Sequence, residues 1–151
     1  MVKVYFVKKW TVNSVTNDSE GLYIFGDNNI KKGCGGQAII RYLPNAIGIP
    51  TKKYPNNESK SYYTDDDYDN NCNKINIAID IIKTRLDSKI YNKLVLPEDG
   101  LGTGLARLPI KAPRTYNYLI DKICSLVGEM DKESLKKIEE LKGYQQIKLN
   151  N

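Results

Sequence analysis

Histidine is absent from this chain of 151 residues. Imidazole is the commonest general base in enzymes and a frequent zinc ligand, so its absence disfavours histidine-dependent catalysis and most zinc sites. The three cysteines form no CxxC pair, and an odd number without paired spacing indicates free thiols. We therefore expect no bound metal and no cofactor.

Long apolar stretches are also missing. None approaches the roughly 20 apolar residues that a membrane helix needs. The N-terminus alternates lysine with apolar residues and lacks the apolar centre of a signal peptide. These features predict a cytoplasmic protein without membrane contact. With 40% hydrophobic residues, the chain can form one domain over residues 1–151, with a C-terminal helix and a frayed tail in residues 131–151.

Arginine is scarce, so the net charge of +5 comes mostly from lysine. Dedicated nucleic-acid-binding proteins more often combine clustered arginine with exposed aromatic residues. Nucleic acid is therefore not the expected partner. A mild positive charge suits a phosphorylated small ligand, which it would attract from solution.

Apolar periodicity predicts alternating strands and helices. Strands are expected at residues 2–12, 22–25, 45–49, where Pro50 ends the strand, and 94–96. Helices are expected at residues 37–42, after an N-cap at Thr64, from Pro113 onward and at 131–142, whereas 13–20 is predicted to be a turn and 51–63 a surface loop. The alternation predicts an α/β three-layer sandwich, with a mixed or mostly parallel sheet flanked by helices.

Three of the predicted helices carry apolar stripes at helical spacing, and each stripe should face the core. The stripes are Ile75, Ile79, Ile82 and Leu86; Tyr116, Leu119, Ile120, Ile123 and Val127; and Leu135, Ile138 and Leu141. The acidic residues at 65–67 fit the first turn of a helix, where they oppose the positive end of the helix dipole.

A first glycine-rich loop, residues 26–36, follows the strand at residues 22–25. Asp27 and Asn28 could bind ribose hydroxyls at the end of this strand, or could cap their own turn. Residues 33–36 contain three glycines in four positions and lead into a helix, an arrangement that suits phosphate binding. The stretch is neither a GxGxxG fingerprint nor a P-loop.

A second glycine-rich loop, residues 100–104, follows the strand at 94–96. It is either a flexible turn or a second phosphate cradle, with Thr103 as a hydroxyl donor and Arg107 as a phosphate partner or a surface residue. Two such loops at neighbouring strand ends would form one crevice, where open α/β sheets bind ligands. One of Tyr42, Tyr54, Tyr62 and Tyr63 could stack on a base or be buried at the sheet edge.

Residues 22–28, 33–38, 49–52 and 100–106 resemble macrodomain-like proteins of phages and bacteria. The resemblance covers roughly residues 21–127 and implies that the two loops clasp the diphosphate of ADP-ribose. The family's usual Asn-Ala-Ala-Asn string is replaced by Phe25-Gly26-Asp27-Asn28, and residues 51–64 have no clear counterpart. A cyclic ADP-ribose isomer or a cyclic dinucleotide therefore stays open as the ligand.

The resemblance implies binding of an ADP-ribose-type signalling nucleotide. In a phage such a protein could sequester a defence messenger in the host cytoplasm. The alternative is an ADP-ribosyl hydrolase, for which Asp27 and Asp99 are the candidate catalytic residues. A homo-oligomer is possible. The expected ligand-binding residues are Gly26, Asp27, Asn28, Asn29, Gly33, Cys34, Gly35, Gly36, Gln37, Thr51, Lys52, Gly100, Gly102, Thr103, Gly104 and Arg107.

Overall fold

The structure, a computed structural model, describes residues 2–140. Its centre is a four-stranded sheet in the order β1-β4-β2-β3, in which all neighbouring strands run parallel. The strands are β1 (Lys3–Val7), β2 (Gly21–Asn28), β3 (Ala46–Lys52) and β4 (Lys93–Pro97). The helices are α1 (Val12–Thr16), α2 (Tyr68–Asp87), α3 (Leu108–Lys111), α4 (Pro113–Gly128) and α5 (132–140), with 3-10 helices at Gly36–Ile40, Ser59–Ser61 and Asp65–Asp67.

Helices cover both faces of the sheet. Leu22 and Ile24 of β2 pack in one apolar core with residues of α2, α4 and α5. Tyr23 and Phe25, which alternate with them, pack in a second core with residues of α1 and the 3-10 helix at Gly36–Ile40. Because successive strand residues point to opposite faces, β2 is apolar on both sides, as a central parallel strand requires. The predicted three-layer α/β sandwich is confirmed.

The predicted apolar stripes of α2 and α4 are buried as expected. Helix α4 begins at Pro113, as predicted, because its first residue needs no N–H for an intrahelical bond. In α5, Ile138 is buried and Leu135 is half-buried, whereas Leu141 lies outside the described residues. Among residues 2–140, no helix is both long and apolar enough to cross a membrane.

The first strand ends earlier than predicted. It stops at Val7, and residues predicted to be strand or turn form α1. The cause is a capping box: the Thr11 hydroxyl accepts a hydrogen bond from the Ser14 N–H at 3.0 Å, and the Ser14 hydroxyl oxygen accepts one from the Thr11 N–H at 2.9 Å. The reciprocal bonds satisfy N–H groups of the first turn and stabilise a helix start there.

Strand β3 runs past Pro50, where the sequence predicted its end. A proline is compatible with this position because β3 lies at the edge of the sheet. The following residues are not simply a surface loop, since Ser61 and Tyr63 are fully buried. Tyr62 also forms an antiparallel bridge with Lys52 at the end of β3.

The prediction that Thr64 caps the N-terminus of the long helix α2 is wrong. The Thr64 side chain makes no capping hydrogen bond, and a 3-10 turn at Asp65–Asp67 separates it from α2. Asp65 instead caps another helix: its carboxylate accepts hydrogen bonds from the Arg114 and Thr115 N–H groups of α4 at 2.9 and 3.0 Å. A carboxylate is favourable there because it faces free N–H groups at the positive end of the helix.

Candidate functional site

The candidate site lies at the carboxyl ends of β2 and β4, which are neighbours in the sheet. The chain leaving β2 enters the layer that contains the 3-10 helix at Gly36–Ile40. The chain leaving β4 enters the opposite layer, with α3 and α4. The two connections diverge and leave a crevice between them, the position where open α/β sheets bind ligands.

The crevice holds a cavity of about 310 Å³ that both glycine-rich loops line. The predicted residues that line it are Gly26, Asp27, Asn28, Gly33, Gly35, Gly36, Gln37, Thr51, Lys52, Gly102 and Gly104. Those that do not are Asn29, Cys34, Gly100, Thr103, Arg107 and the catalytic candidate Asp99. The residues that the sequence did not single out are Lys32, Ala38, Arg41, Pro55, Leu105 and Ala106.

Asp27 forms a buried ion pair with Arg41. The distance between Asp27 Oδ1 and Arg41 Nη1 is 2.6 Å, and the two side chains are 7% and 6% exposed. Arg41 also donates hydrogen bonds from Nε to the Gly33 carbonyl at 2.8 Å and from Nη2 to the Lys32 carbonyl at 3.2 Å. The guanidinium lies 5.5 Å from the centre of the Phe25 ring. Arg41 therefore fastens the first glycine-rich loop to the end of β2.

Asn28 supports the same loop from the inside. Its Nδ2 group donates a hydrogen bond to the Lys32 carbonyl at 2.7 Å, and its N–H donates to Asp27 Oδ1 at 2.7 Å. The Asn28 side chain caps its own loop, which was the alternative that the sequence left open. A ligand would therefore meet mainly the backbone of this loop and the side chains at its margins.

Both loops line the cavity with glycines whose backbone N–H groups have no hydrogen-bond partner in the described part of the chain. Among residues 2–140, no acceptor pairs with the N–H groups of Gly35, Gly36, Gly102 or Gly104. Gly36 adopts φ +57°, and the open space around its Cβ position lets a ligand approach the backbone closely. Such N–H groups form an anion-binding concavity when they point to a common centre.

Gln37 connects the two loops. Its Oε1 accepts a hydrogen bond from the Gly26 N–H at 2.9 Å, and its Nε2 donates one to the Gly100 carbonyl at 3.2 Å. The Gln37 carbonyl in turn accepts a hydrogen bond from Trp10 Nε1 at 3.1 Å. The sequence predicted Gln37 as a ligand-binding residue, whereas its amide is already used to fix the spacing of the loops.

The second loop is held by packing. Gly102 adopts φ +75°, and a Cβ atom there would lie 3.0 Å from Leu108 Cβ and 3.2 Å from Thr51 Cβ. The Thr103 hydroxyl, predicted as a ligand donor, instead donates to the Asp99 carbonyl at 2.7 Å. Gly102 is therefore required both by the backbone conformation and by the close contact of the loop with α3.

The cavity carries an excess of positive charge. Its charged residues are Lys32, Arg41 and Lys52 against the single carboxylate of Asp27, which leaves two positive charges. The Lys52 amine donates to the Asn56 carbonyl at 2.8 Å and lies 4.9 Å from the centre of the Tyr62 ring. Burial lowers the pKa of Lys52. The charge distribution suits an anionic ligand.

A family model described as a family of unknown function, DUF7831, matches residues 5–122. The chain belongs to the DUF7831 family. The matched stretch contains both glycine-rich loops and every residue that lines the cavity. No curated protein and no solved structure is significantly similar to the chain.

Arg41 is the main site residue that sequence reasoning missed in this DUF7831 chain. A signal was present, because Arg41 lies in the helix predicted at residues 37–42, directly after the glycine-rich loop. Asp27 is the acidic residue of the same loop, and a buried carboxylate requires a cationic partner. The pairing could have been predicted from these two observations.

The four tyrosines considered for base stacking differ in position. Tyr62 and Tyr63 are buried, so neither ring face is free to receive a base. The Tyr63 hydroxyl donates a hydrogen bond to Asn29 Oδ1, and burial raises the pKa of Tyr63. Tyr42 and Tyr54 are exposed, but Tyr42 lines a second cavity beside β3, and Tyr54 lines neither of the two cavities.

Proposed function

We propose that this DUF7831 protein binds an ADP-ribose-type or related signalling nucleotide in the cavity between its glycine-rich loops. One observation carries the proposal: both loops meet in a single cavity with two positive charges in excess and several N–H groups without a partner among residues 2–140. Phosphate oxygens accept several hydrogen bonds at once and carry the complementary charge.

The phosphates would lie between Gly35 and Gly36 on one side and Gly102 and Gly104 on the other. Lys52 stands beside this position at the end of β3 and would neutralise part of the phosphate charge. Gln37 sets the spacing of the two loops before the ligand arrives. Such preorganisation reduces the free energy that binding must otherwise spend on ordering the loops.

The geometry favours holding the nucleotide over cutting it. A general base must reach the water that it activates, and Asp27 is already engaged by Arg41 and by the Asn28 N–H. Asp99, the other candidate, does not line the cavity. The function that follows is sequestration of a nucleotide messenger, in preference to hydrolysis of an ADP-ribosyl linkage.

The test is a thermal-shift and calorimetry panel of ADP-ribose, a cyclic ADP-ribose isomer and a cyclic dinucleotide, followed by native mass spectrometry. We expect at least one nucleotide to raise the melting temperature and to be recovered unchanged. The substitution Lys52→Gln should weaken its binding, whereas Lys53→Gln, a neighbour that pairs with Asp67 outside the cavity, should not.

Two outcomes would contradict the proposal in different ways. If no nucleotide of the panel binds and RNA does, the cavity is not a nucleotide site. If a nucleotide binds but is recovered as a new product, the hydrolase alternative replaces sequestration.

A further inference from the structure

A second cavity, of about 610 Å³, lies outside the free edge of β3. Strand β3 forms its floor, α2 forms one wall, and Tyr42 stands on the opposite side. We call it the edge groove; its lining residues used below are Lys31, Tyr42, Gly48, Lys74, Ile77 and Ile81, together with Arg85. It shares Asp27, Asn28 and Arg41 with the nucleotide cavity.

The walls of the edge groove expose large apolar side chains. Ile77 is 61% exposed, Ile81 is 42% exposed and Tyr42 is 79% exposed. Ile77 and Ile81 are four residues apart, so they lie on one face of α2. Single exposed apolar residues are ordinary, but three around one concave surface indicate a surface that a partner covers.

The floor of the edge groove offers unpaired backbone groups. Tyr23 lies opposite Ala46, and its N–H donates to the Asn45 carbonyl at 2.8 Å. In a parallel ladder the groups of every second residue turn toward the neighbouring strand, so those of Gly48 turn away from β2. Within the described part of the chain, no residue pairs with the Gly48 N–H or carbonyl.

Gly48 has no side chain to cover these groups. A Cβ atom there would lie 2.5 Å from Asp27 Oδ2, so the buried Asp27–Arg41 pair leaves room only for glycine at this position. Pro50 has no N–H, which limits the hydrogen bonds of this edge to the Gly48 N–H and to outward carbonyls. A short added strand can use these groups.

The charge of the edge groove selects the partner. Its charged residues are Lys31, Arg41, Lys74 and Arg85 against Asp27, which leaves three positive charges. Lys74 and Arg85 lie on the same face of α2 as the exposed isoleucines, at spacings of three and four residues. A second copy of this chain would bring an equal positive charge to the interface, and like charges there cost free energy.

We propose that the edge groove binds an extended acidic segment of a partner polypeptide, which adds a short strand to β3. Apolar side chains of the segment pack on Ile77 and Ile81, and its carboxylates meet Lys74 and Lys31. The Gly48 backbone groups supply the central hydrogen bonds. The proposal does not depend on the nucleotide function.

The probe is a fluorescein-labelled heptapeptide of alternating glutamate and valine, and the measurement is fluorescence polarisation with the full-length protein at low and moderate salt. We expect binding that weakens with salt and falls about tenfold in Ile77→Glu and in Lys74→Glu. Ile110→Glu is the matched control, because Ile110 is 56% exposed on α3 and lies outside the edge groove. Thermal unfolding of each variant confirms that it folds.

Four results would overturn the proposal. The first is no binding of the glutamate–valine peptide. The second is equal binding of a lysine–valine peptide, and the third is equal binding of a glutamate–valine peptide with alternate N-methyl groups, which cannot form the backbone bonds. The fourth is a dimer of the wild type, seen by analytical ultracentrifugation, that Ile77→Glu dissociates, since a second copy would then occupy the edge groove.

Discussion

The two glycine-rich loops look alike in sequence but keep their shapes by different means. The first loop is exposed and is fastened by side-chain hydrogen bonds from Arg41 and Asn28. In the second loop, Gly102 is buried and is held by close contact with Leu108. The comparison teaches that a glycine can leave room for a ligand, as Gly36 does in the first loop, or allow close packing, as Gly102 does in the second.

The largest expected effect on stability comes from removing Arg41, which holds the first loop by an ion pair and hydrogen bonds. Arg41→Ala leaves the buried Asp27 carboxylate without its partner, and breaking a buried ion pair from one side costs about 3–5 kcal/mol of unfolding free energy. Urea denaturation measures the loss. Arg85→Ala, which removes an exposed arginine that donates to the Pro44 carbonyl, should change stability by less than about 1 kcal/mol.

The double variant Asp27→Asn with Arg41→Met sharpens this prediction. It removes both charges, so we expect it to recover much of the stability lost in Arg41→Ala. If the double variant is as unstable as the single one, the loss comes from the bonds of Arg41 to the loop carbonyls and not from the orphaned carboxylate.

Packing in the second loop predicts the next effect. Gly102→Ala places a Cβ atom against Leu108 at a positive φ, and we expect a loss of about 1–3 kcal/mol of unfolding free energy. Gly104→Ala is the matched control in the same loop, because its Cβ position has no atom within 4 Å and its φ is not positive. Equal losses in the two variants would show that packing does not distinguish these glycines.

Loss of one of the two hydrogen bonds by which the Gln37 side chain connects the loops should have a smaller effect on stability. Gln37→Glu keeps the acceptor for the Gly26 N–H but loses the donor to the Gly100 carbonyl, at a cost of about 1 kcal/mol. Nucleotide affinity should fall by more than the loss of folded protein explains, because the two loops no longer keep a fixed spacing. Calorimetry at a temperature where the variant is fully folded separates the two effects, and unchanged affinity would mean that Gln37 acts on folding alone.

The sequence predicted the order of the elements well because apolar periodicity follows burial. Both faces of residues 22–25 are apolar, which identified the central strand β2. Prediction from the sequence failed where a contact with a distant segment determines the local structure. Residues 26–28 have the composition of a turn, yet they continue β2 because β3 pairs with them and Gln37 binds the Gly26 N–H.

The sequence predicted where the candidate site lies but not which of its side chains are available to a ligand. Glycine content and strand order placed both loops at one sheet edge, where the cavity lies. A side chain can bind a ligand in the cavity only if its polar atoms are not already used in hydrogen bonds within the protein, and the sequence does not show those bonds. Asn28, Gln37 and Thr103 have the chemistry of ligand-binding residues, but all three are engaged by the backbone of the loops.

The smallest expected effect concerns Lys52, a buried cation that lines the cavity. Burial lowers the pKa of Lys52, so its positive charge is lost at a lower pH than that of an ordinary lysine. Nucleotide affinity should therefore decline as the pH rises through this lowered pKa. Lys52→Arg keeps the charge and should remove the decline, whereas Lys53→Arg should leave it unchanged. A decline that persists in Lys52→Arg would assign the pH dependence to the ligand or to another residue.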